Sequence, residues 1–253
     1  MTGTKSEYTA CLIVIGNEIL SGRTRDANLQ YLAGRLNRWG IQLREARVIP
    51  DIERTIVETV NHCRRAFDYV FTTGGIGPTH DDITAASVAK AFGVGLVKDP
   101  KSFALMAARY ETPEEFNESR RKMCFIPEGA VPIENSVSVA PGFQMENVFV
   151  LAGVPSIMRA MADTLQNRLI GGAPVRSRAL GCHLPEGAVA GGLAEIQERW
   201  PGIDIGSYPF YREGKFGTSL VLRGTEPPAL DAAYAAVADM VTGLGGKPVP
   251  EDD

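Results

Sequence analysis

The chain has 253 residues, 44% hydrophobic and 22% charged, with a formal net charge of -4. That length suits one large domain plus a small one, and the acidic balance argues against a nucleic-acid partner, which calls for a broad basic face. The polar start Met1–Ala10 lacks an apolar signal core, and the longest apolar run, near Ala10–Ile15, is of strand length, so neither a signal peptide nor a membrane association is expected. Cys11, Cys63, Cys124 and Cys182 show no C-x-x-C spacing and are expected to be reduced, buried thiols of a cytoplasmic protein.

In chain order, Ala10–Gly16 reads as a strand buried on both faces, as in a parallel sheet. Asp26 can cap a helix carrying Leu29, Leu32 and Leu36, with Gly40 as its stop. Ile41–Ile49 is a second strand. Asp51 is expected to cap a helix with the apolar stripe Ile56, Val60, Cys63 and Phe67. Asp68–Thr73 is a third buried strand, Gly74–Asp82 its exit loop, and Thr84–Phe92 a helix stopped by Gly93. Thr112, Pro113 and Glu115 spell a capping box and a helix start. Val148–Leu151 is a further strand, and Ser156 is expected to cap a helix reaching about Leu169. Beyond the linker Gly171–Pro174, a helix near Ala190–Trp200, a hairpin of Gly206–Tyr211 and Thr218–Leu222, and a helix from about Pro228 to Leu244 form a small α+β unit.

Alternating strands and helices predict a layered α/β domain with a mostly parallel sheet, whose ligands bind beyond the carboxyl ends of the strands. That points to the loops Gly16–Asp26, Gly74–Asp82 and Gly153–Ser156. In the second, Gly74, Gly75, Ile76 and Gly77 let the backbone approach an anion, and the following helix adds its positive end. Neither a Walker A motif nor a G-x-G-x-x-G after a strand occurs. Asp81 and Asp82 would repel a neighbouring phosphate unless a cation lay between, which implies Mg²⁺ or a similar hard ion. One of the two is expected to cap the helix and the other to serve the site. In the first loop, Glu18 and Asp26 could ligate a metal or accept from ribose hydroxyls, or the loop could be solvated with Asp26 as a cap.

The run Gly16-Asn-Glu-Ile-Leu-Ser-Gly22 with Asp26-Ala-Asn28, followed by Thr72-Thr-Gly-Gly-Ile-Gly-Pro-Thr-His-Asp-Asp-Ile-Thr84, resembles the molybdopterin-binding domain of the MogA and MoaB proteins. The closer resemblance is to the N-terminal part of the competence/damage-inducible CinA family, continuing through Ile126–Ala130, Ala140–Phe143 and Gly153–Pro155. It implies a three-layer α/β/α domain over about residues 8–170 and a small KH-like α+β domain over 175–246. The amidohydrolase domain that ends many CinA proteins is expected to be absent, since the sequence stops at Asp253.

The resemblance implies a phosphorylated pterin, possible molybdopterin included, or an adenine nucleotide as ligand. It also implies hydrolysis of a nucleotide-sugar pyrophosphate such as ADP-ribose with Mg²⁺, Mn²⁺ or Co²⁺. The alternative is a non-catalytic binding protein linked to molybdenum cofactor biosynthesis. Carried residue by residue, it gives Asp82 and Asp81 as catalytic. Gly74, Gly75, Ile76, Gly77, Thr84, Glu18, Ser21, Asn28, Gly153 and Pro155 become ligand-binding, and Asp82, Glu18 and Asp26 metal-binding. Asn17, Ser138, Val139 and Ala152 depart from the family pattern, which has Asp, Gly, Thr and Pro there. A homo-oligomer, dimer or trimer, is expected.

Three other features read as structural. Arg120-Arg121-Lys122 is a solvated helix face, with phosphate contact as its functional alternative, and His80 is a loop residue beside the aspartates. Gly214-Lys-Phe-Gly217 lies between strands and is read as a hairpin turn, not an RNA clamp.

Overall fold

The computed structural model describes residues 5, 7–212 and 214–251. The chain divides into two compact units, Met1–Gly172 and Ala173–Asp253.

The first unit runs β1 (Tyr8–Ile15), α1 (Asn17–Leu20), α2 (Asn28–Arg38), β2 (Ile41–Ile49), α3 (Glu53–Ala66), β3 (Tyr69–Thr73), α4 (Thr84–Phe92), β4 (Leu96–Lys98), α5 (Pro100–Ala107), α6 (Glu118–Lys122), β5 (Phe125–Pro127), β6 (Val131–Ile133), β7 (Gly142–Met145), β8 (Val148–Leu151) and α7 (Pro155–Asp163). Its main sheet has the order β2-β1-β3-β8-β7-β6. The first four strands are mutually parallel, and β7 and β6 are added antiparallel. β4 and β5 pair separately.

β1 shows why the strand is apolar throughout. Ala10, Leu12 and Val14 enter a core with Leu32 and Leu36 of α2 and Met158 and Met161 of α7. The alternate residues Cys11, Ile13 and Ile15 enter a second core with Ile56, Val60 and Cys63 of α3 and Val88 of α4. With both faces covered there is no polar face to expose, which is the three-layer arrangement expected from the sequence. Phe71 of β3 and Phe149 of β8 stack with ring centroids 5.2 Å apart, tying the sheet's centre together.

All four cysteines are free and buried. Cys11 Sγ lies 3.5 Å from Cys63 Sγ, and their hydrogen bond, with burial, pushes the Cys11 thiol up. Burial pushes the Cys124 thiol up to about 11. Both groups therefore stay protonated and inert near neutral pH.

Local signals misled at four helix ends. Asp51 does not cap α3; its carboxylate accepts from Asn17 N at 2.8 Å. Neither Asp81 nor Asp82 caps α4, whose first residue instead donates Thr84 N to Gly75 O at 2.9 Å. At Thr112 the box closes only a turn: Glu115 accepts from Glu111 N, and α6 starts later under Asn117. α7 starts on Pro155 without a side-chain cap and ends at Asp163, with a separate 3-10 turn at Gln166–Arg168. At Asp51 a partner from another element takes the carboxylate, and at α7 a proline already suits the first helical turn.

The second unit contains β9 (Arg176–Cys182), α8 (Glu186–Arg199), β10 (Asp204–Arg212), β11 (Lys215–Gly224), α9 (Pro227–Gly243) and β12 (Val249–Glu251). Its sheet, in the order β10-β11-β9-β12, is antiparallel throughout. Leu180, Leu220 and Leu222 pack against Val189, Leu193 and Ile196 of α8 and Leu230, Ala233 and Val237 of α9. Gly214 and Lys215 lie at the end of the β10–β11 hairpin, so the Gly-Lys-Phe-Gly sequence joins no helices. Among the described residues no helix is long and apolar enough to cross a membrane.

Candidate functional site

At the carboxyl ends of β1, β3 and β8 lies a cavity of about 590 Å³, large enough for a nucleotide-sized ligand. Its floor is the loop after β3. Gly74 has φ +102 and Gly75 φ +67, the left-handed region that favours glycine. A Cβ on Gly74 would lie 2.1 Å from Ile15 O, and one on Gly75 would lie 2.1 Å from Thr84 Oγ1. The loop is tied from beneath, since Gly74 N donates to Leu151 O at 3.2 Å and Thr84 Oγ1 donates to Gly74 O at 3.0 Å. Among the described residues the N–H groups of Gly75, Ile76 and Gly77 make no hydrogen bond, and all three residues line the cavity. Consecutive unpaired amides of this kind form an anion-binding concavity.

Asp82 closes the same loop. Its Oδ2 accepts from Thr79 N at 2.8 Å and from Thr79 Oγ1 at 2.5 Å, while Oδ1 makes no hydrogen bond among the described residues. Asp81 Oδ1 accepts from Thr79 Oγ1 at 2.6 Å, and that bond holds the Asp81 carboxyl below the usual carboxylate range. Asp81 thus keeps its charge, and each of the two carboxylates has one oxygen without a hydrogen bond among the described residues.

Four carboxylates line the cavity, those of Glu18, Asp51, Asp81 and Asp82, and among the described residues no lysine, arginine or histidine joins them. Lys122 Nζ donates to Thr79 O at 2.8 Å and, with Gly75, Ile76, Gly77 and Asp82, lines a smaller adjoining cavity. Opposite the glycines, Met106, Tyr110 and Met123 form an apolar wall. The cavity is therefore a trough lined by carboxylates and the glycine loop, with an apolar patch of Met106, Tyr110 and Met123.

Several residues singled out from the sequence stand behind this surface instead of on it. Asp26 Oδ2 accepts from Leu29 N at 2.8 Å at the start of α2, and Asp26 does not line the cavity. Ser21 Oγ donates to Glu18 O at 3.2 Å. Thr84 is fully buried and braces Gly74. Asn28 is 5% exposed, and its Nδ2 donates to Gly153 O at 2.8 Å. Gly153 packs on Gly74, because a Cβ there would lie 3.2 Å from Gly74 Cα. Glu18, Gly74, Gly75, Ile76, Gly77, Asp81, Asp82, Gly153 and Pro155 do line the cavity. The sequence reading missed Asp51, Met106, Tyr110 and Met123 as site residues; a continuation of parallel strand pairing past Ile15 and Ile49 is the signal that could have brought Asp51 to Asn17.

Asn28 is thus a strut between the loops after β8 and β3. Replacing it with Ala leaves Gly153 O without its partner and should cost about 1–3 kcal/mol, the price of an unsatisfied buried acceptor. Urea unfolding should show that loss, together with weaker ligand binding, although Asn28 touches no ligand.

Fold and site define a class: a three-layer α/β protein with a glycine- and carboxylate-lined cavity at the ends of parallel strands. Residues 11–171 match the family described as a probable molybdopterin binding domain, and the chain belongs to that family. Residues 174–244 match the middle domain of FAD synthase. A protein of Pyrobaculum calidifontis is 34% identical over 216 residues, which cover 79% of this chain and 80% of that one. A probable FAD synthase of Caenorhabditis briggsae is 30% identical over 266 residues, covering 93% of this chain, which spans about 50% of that relative's length. Among solved structures, the protein CinA of unknown function from Thermoplasma acidophilum matches 66% of this chain and 100% of its own, with a TM-score of 0.61 and 33% identity. The small unit thus matches an FAD synthase domain, which refines the KH-like description expected from the sequence.

Proposed function

We propose that the first unit binds a phosphorylated ring compound and hydrolyses a nucleotide-sugar pyrophosphate such as ADP-ribose with a divalent metal. The observation that carries this reading is the run Gly75 to Gly77, whose amides make no hydrogen bond among the described residues and which lines a trough with four carboxylates and, among its described lining residues, no side-chain cation. The amides suit phosphate, yet the carboxylates would repel it. A hard divalent cation resolves the conflict, because oxygen ligands are what Mg²⁺ and Mn²⁺ take.

Among the described residues no three His, Cys, Asp or Glu side chains converge on one point. The donor set therefore fits a cation held by one or two carboxylates and completed by the ligand's own phosphate oxygens, the usual habit of Mg²⁺. Asp82 and Glu18, which line the trough, would hold it; the carboxylates of Asp26 and Asp51 already accept from Leu29 N and Asn17 N. Bound there, the ion would neutralise phosphate charge and polarise the P–O bonds. The chain's own groups do the rest. The amides orient the pyrophosphate, and Asp81 supplies fixed charge. A carboxylate of the trough that does not hold the ion takes the proton of the attacking water as its oxygen bonds to phosphorus and one P–O–P bond breaks, giving AMP and ribose 5-phosphate.

A second substrate is favoured by the match of residues 174–244 to an FAD synthase domain. FAD is also an adenosine pyrophosphate and would present the same phosphates to the same amides. Incubating the chain with ADP-ribose or FAD and Mg²⁺, Mn²⁺ or Co²⁺ should release AMP from at least one of them. Release no greater than that of Asp82→Ala, with every metal, would leave a binding protein without turnover.

A further inference from the structure

The segment between β6 and β7 is built with more constraint than a solvated loop needs. Asn135, 8% exposed, accepts at Oδ1 from Val137 N at 3.1 Å, Ser138 N at 2.7 Å and Ser138 Oγ at 3.2 Å. Its Nδ2 donates to Ala140 O at 2.6 Å, and Arg109 Nη1 donates to Val137 O at 2.9 Å. These bonds hold Val139, a β-branched residue, at φ +66. Such a conformation is strained and persists where the surroundings over-determine it, often beside a ligand. Val139 and Ala140 pack with Met106, Tyr110 and Met123, the apolar wall of the trough, and Ser138 lines the trough itself.

The hydroxyl of Ser138 has one proton, and that proton points to Asn135 Oδ1. What Ser138 offers the trough is therefore an oxygen with lone pairs only. A phosphate, which needs donors, gains nothing from it. A planar ring lying on Met106, Tyr110 and Met123 with its phosphates on the glycines could bring an exocyclic N–H to this oxygen.

We infer that Ser138 is a specificity-determining residue, an acceptor locked by Asn135 that reads an exocyclic amine on the ligand's ring. The inference rests on the reading of the trough as a site for a phosphorylated ring compound. A site built to receive a donor disfavours an analogue that lacks it, because its own polar group is then left unpaired.

The test compares ADP-ribose with its 6-unsubstituted purine counterpart, in which hydrogen replaces the amine, by titration calorimetry with Mg²⁺. The wild-type chain should prefer the adenine compound by about tenfold or more, the scale of one hydrogen bond of ~1.4 kcal/mol. Ser138→Ala should bring the two affinities to near equality, while Ser138→Thr, which keeps the hydroxyl, should retain the preference. A wild-type chain that binds both compounds equally, or a preference unchanged in Ser138→Ala, overturns the role of Ser138 and leaves the site reading standing. A wild-type chain that binds neither compound overturns the site reading itself, and this inference with it.

Discussion

Replacing Asp82 with Asn should lower metal-dependent affinity for ADP-ribose by about 100-fold or more while leaving the fold intact, on the scale of removing one partner from a desolvated charge pair. An amide oxygen can still accept from Thr79 N and Thr79 Oγ1, the two bonds that Asp82 Oδ2 makes now. Stability should therefore change by less than about 1 kcal/mol. What the substitution removes is the negative charge and the free lone pair of a carboxylate beside the amides of Gly75 to Gly77. Without metal, affinity should rise slightly, because one carboxylate fewer repels the phosphates. Calorimetric titration with Mg²⁺ and with EDTA separates the two effects. An unchanged metal effect in Asp82→Asn would make Asp82 a loop brace and nothing more.

Gly75→Ala should abolish ligand binding and destabilise the first unit by roughly 2–5 kcal/mol. An L-residue with a Cβ at φ +67 costs about 1–2 kcal/mol. The new methyl would also lie 2.1 Å from Thr84 Oγ1, which now holds Gly74 O, so relieving the clash breaks a buried hydrogen bond worth about 1–3 kcal/mol. Gly93 supplies the control. Its φ is +71, but a Cβ there meets nothing within 4 Å, so Gly93→Ala should lose only the conformational part and leave ligand binding alone. Equal losses in the two variants by urea unfolding would show that the Thr84 contact is unimportant.

The contrast between these glycines reflects what a sequence can disclose. The continuous apolar run of β1 could only be a doubly covered strand, and the stripe of Ile56, Val60 and Cys63 could only be one helix face. The Gly74–Asp82 loop was legible because glycines and carboxylates after a buried strand have few other uses. Pairings distant in sequence were not legible. Asn17 meets Asp51 across 34 residues because β1 and β2 end side by side, and Asn28 meets Gly153 across 125 residues. Asp51, Asp26 and Asn28 each carry a side chain that could cap, ligate or bind, and only the partner brought up by the sheet decides among these. The apolar wall was hidden for a related reason. Met106, Tyr110 and Met123 come from a segment whose strongest local signal, the capping box at Thr112, closes a single turn and no helix.

The account turns on a trough that takes phosphate only together with a cation. Titrating the wild-type chain with ADP-ribose, once with Mg²⁺ and once with EDTA, asks this most directly. Saturable binding with Mg²⁺ and at least about tenfold weaker binding with EDTA, a gap of ~1.4 kcal/mol, is the predicted result. Equal affinity in the two titrations, or no binding in either, would contradict it.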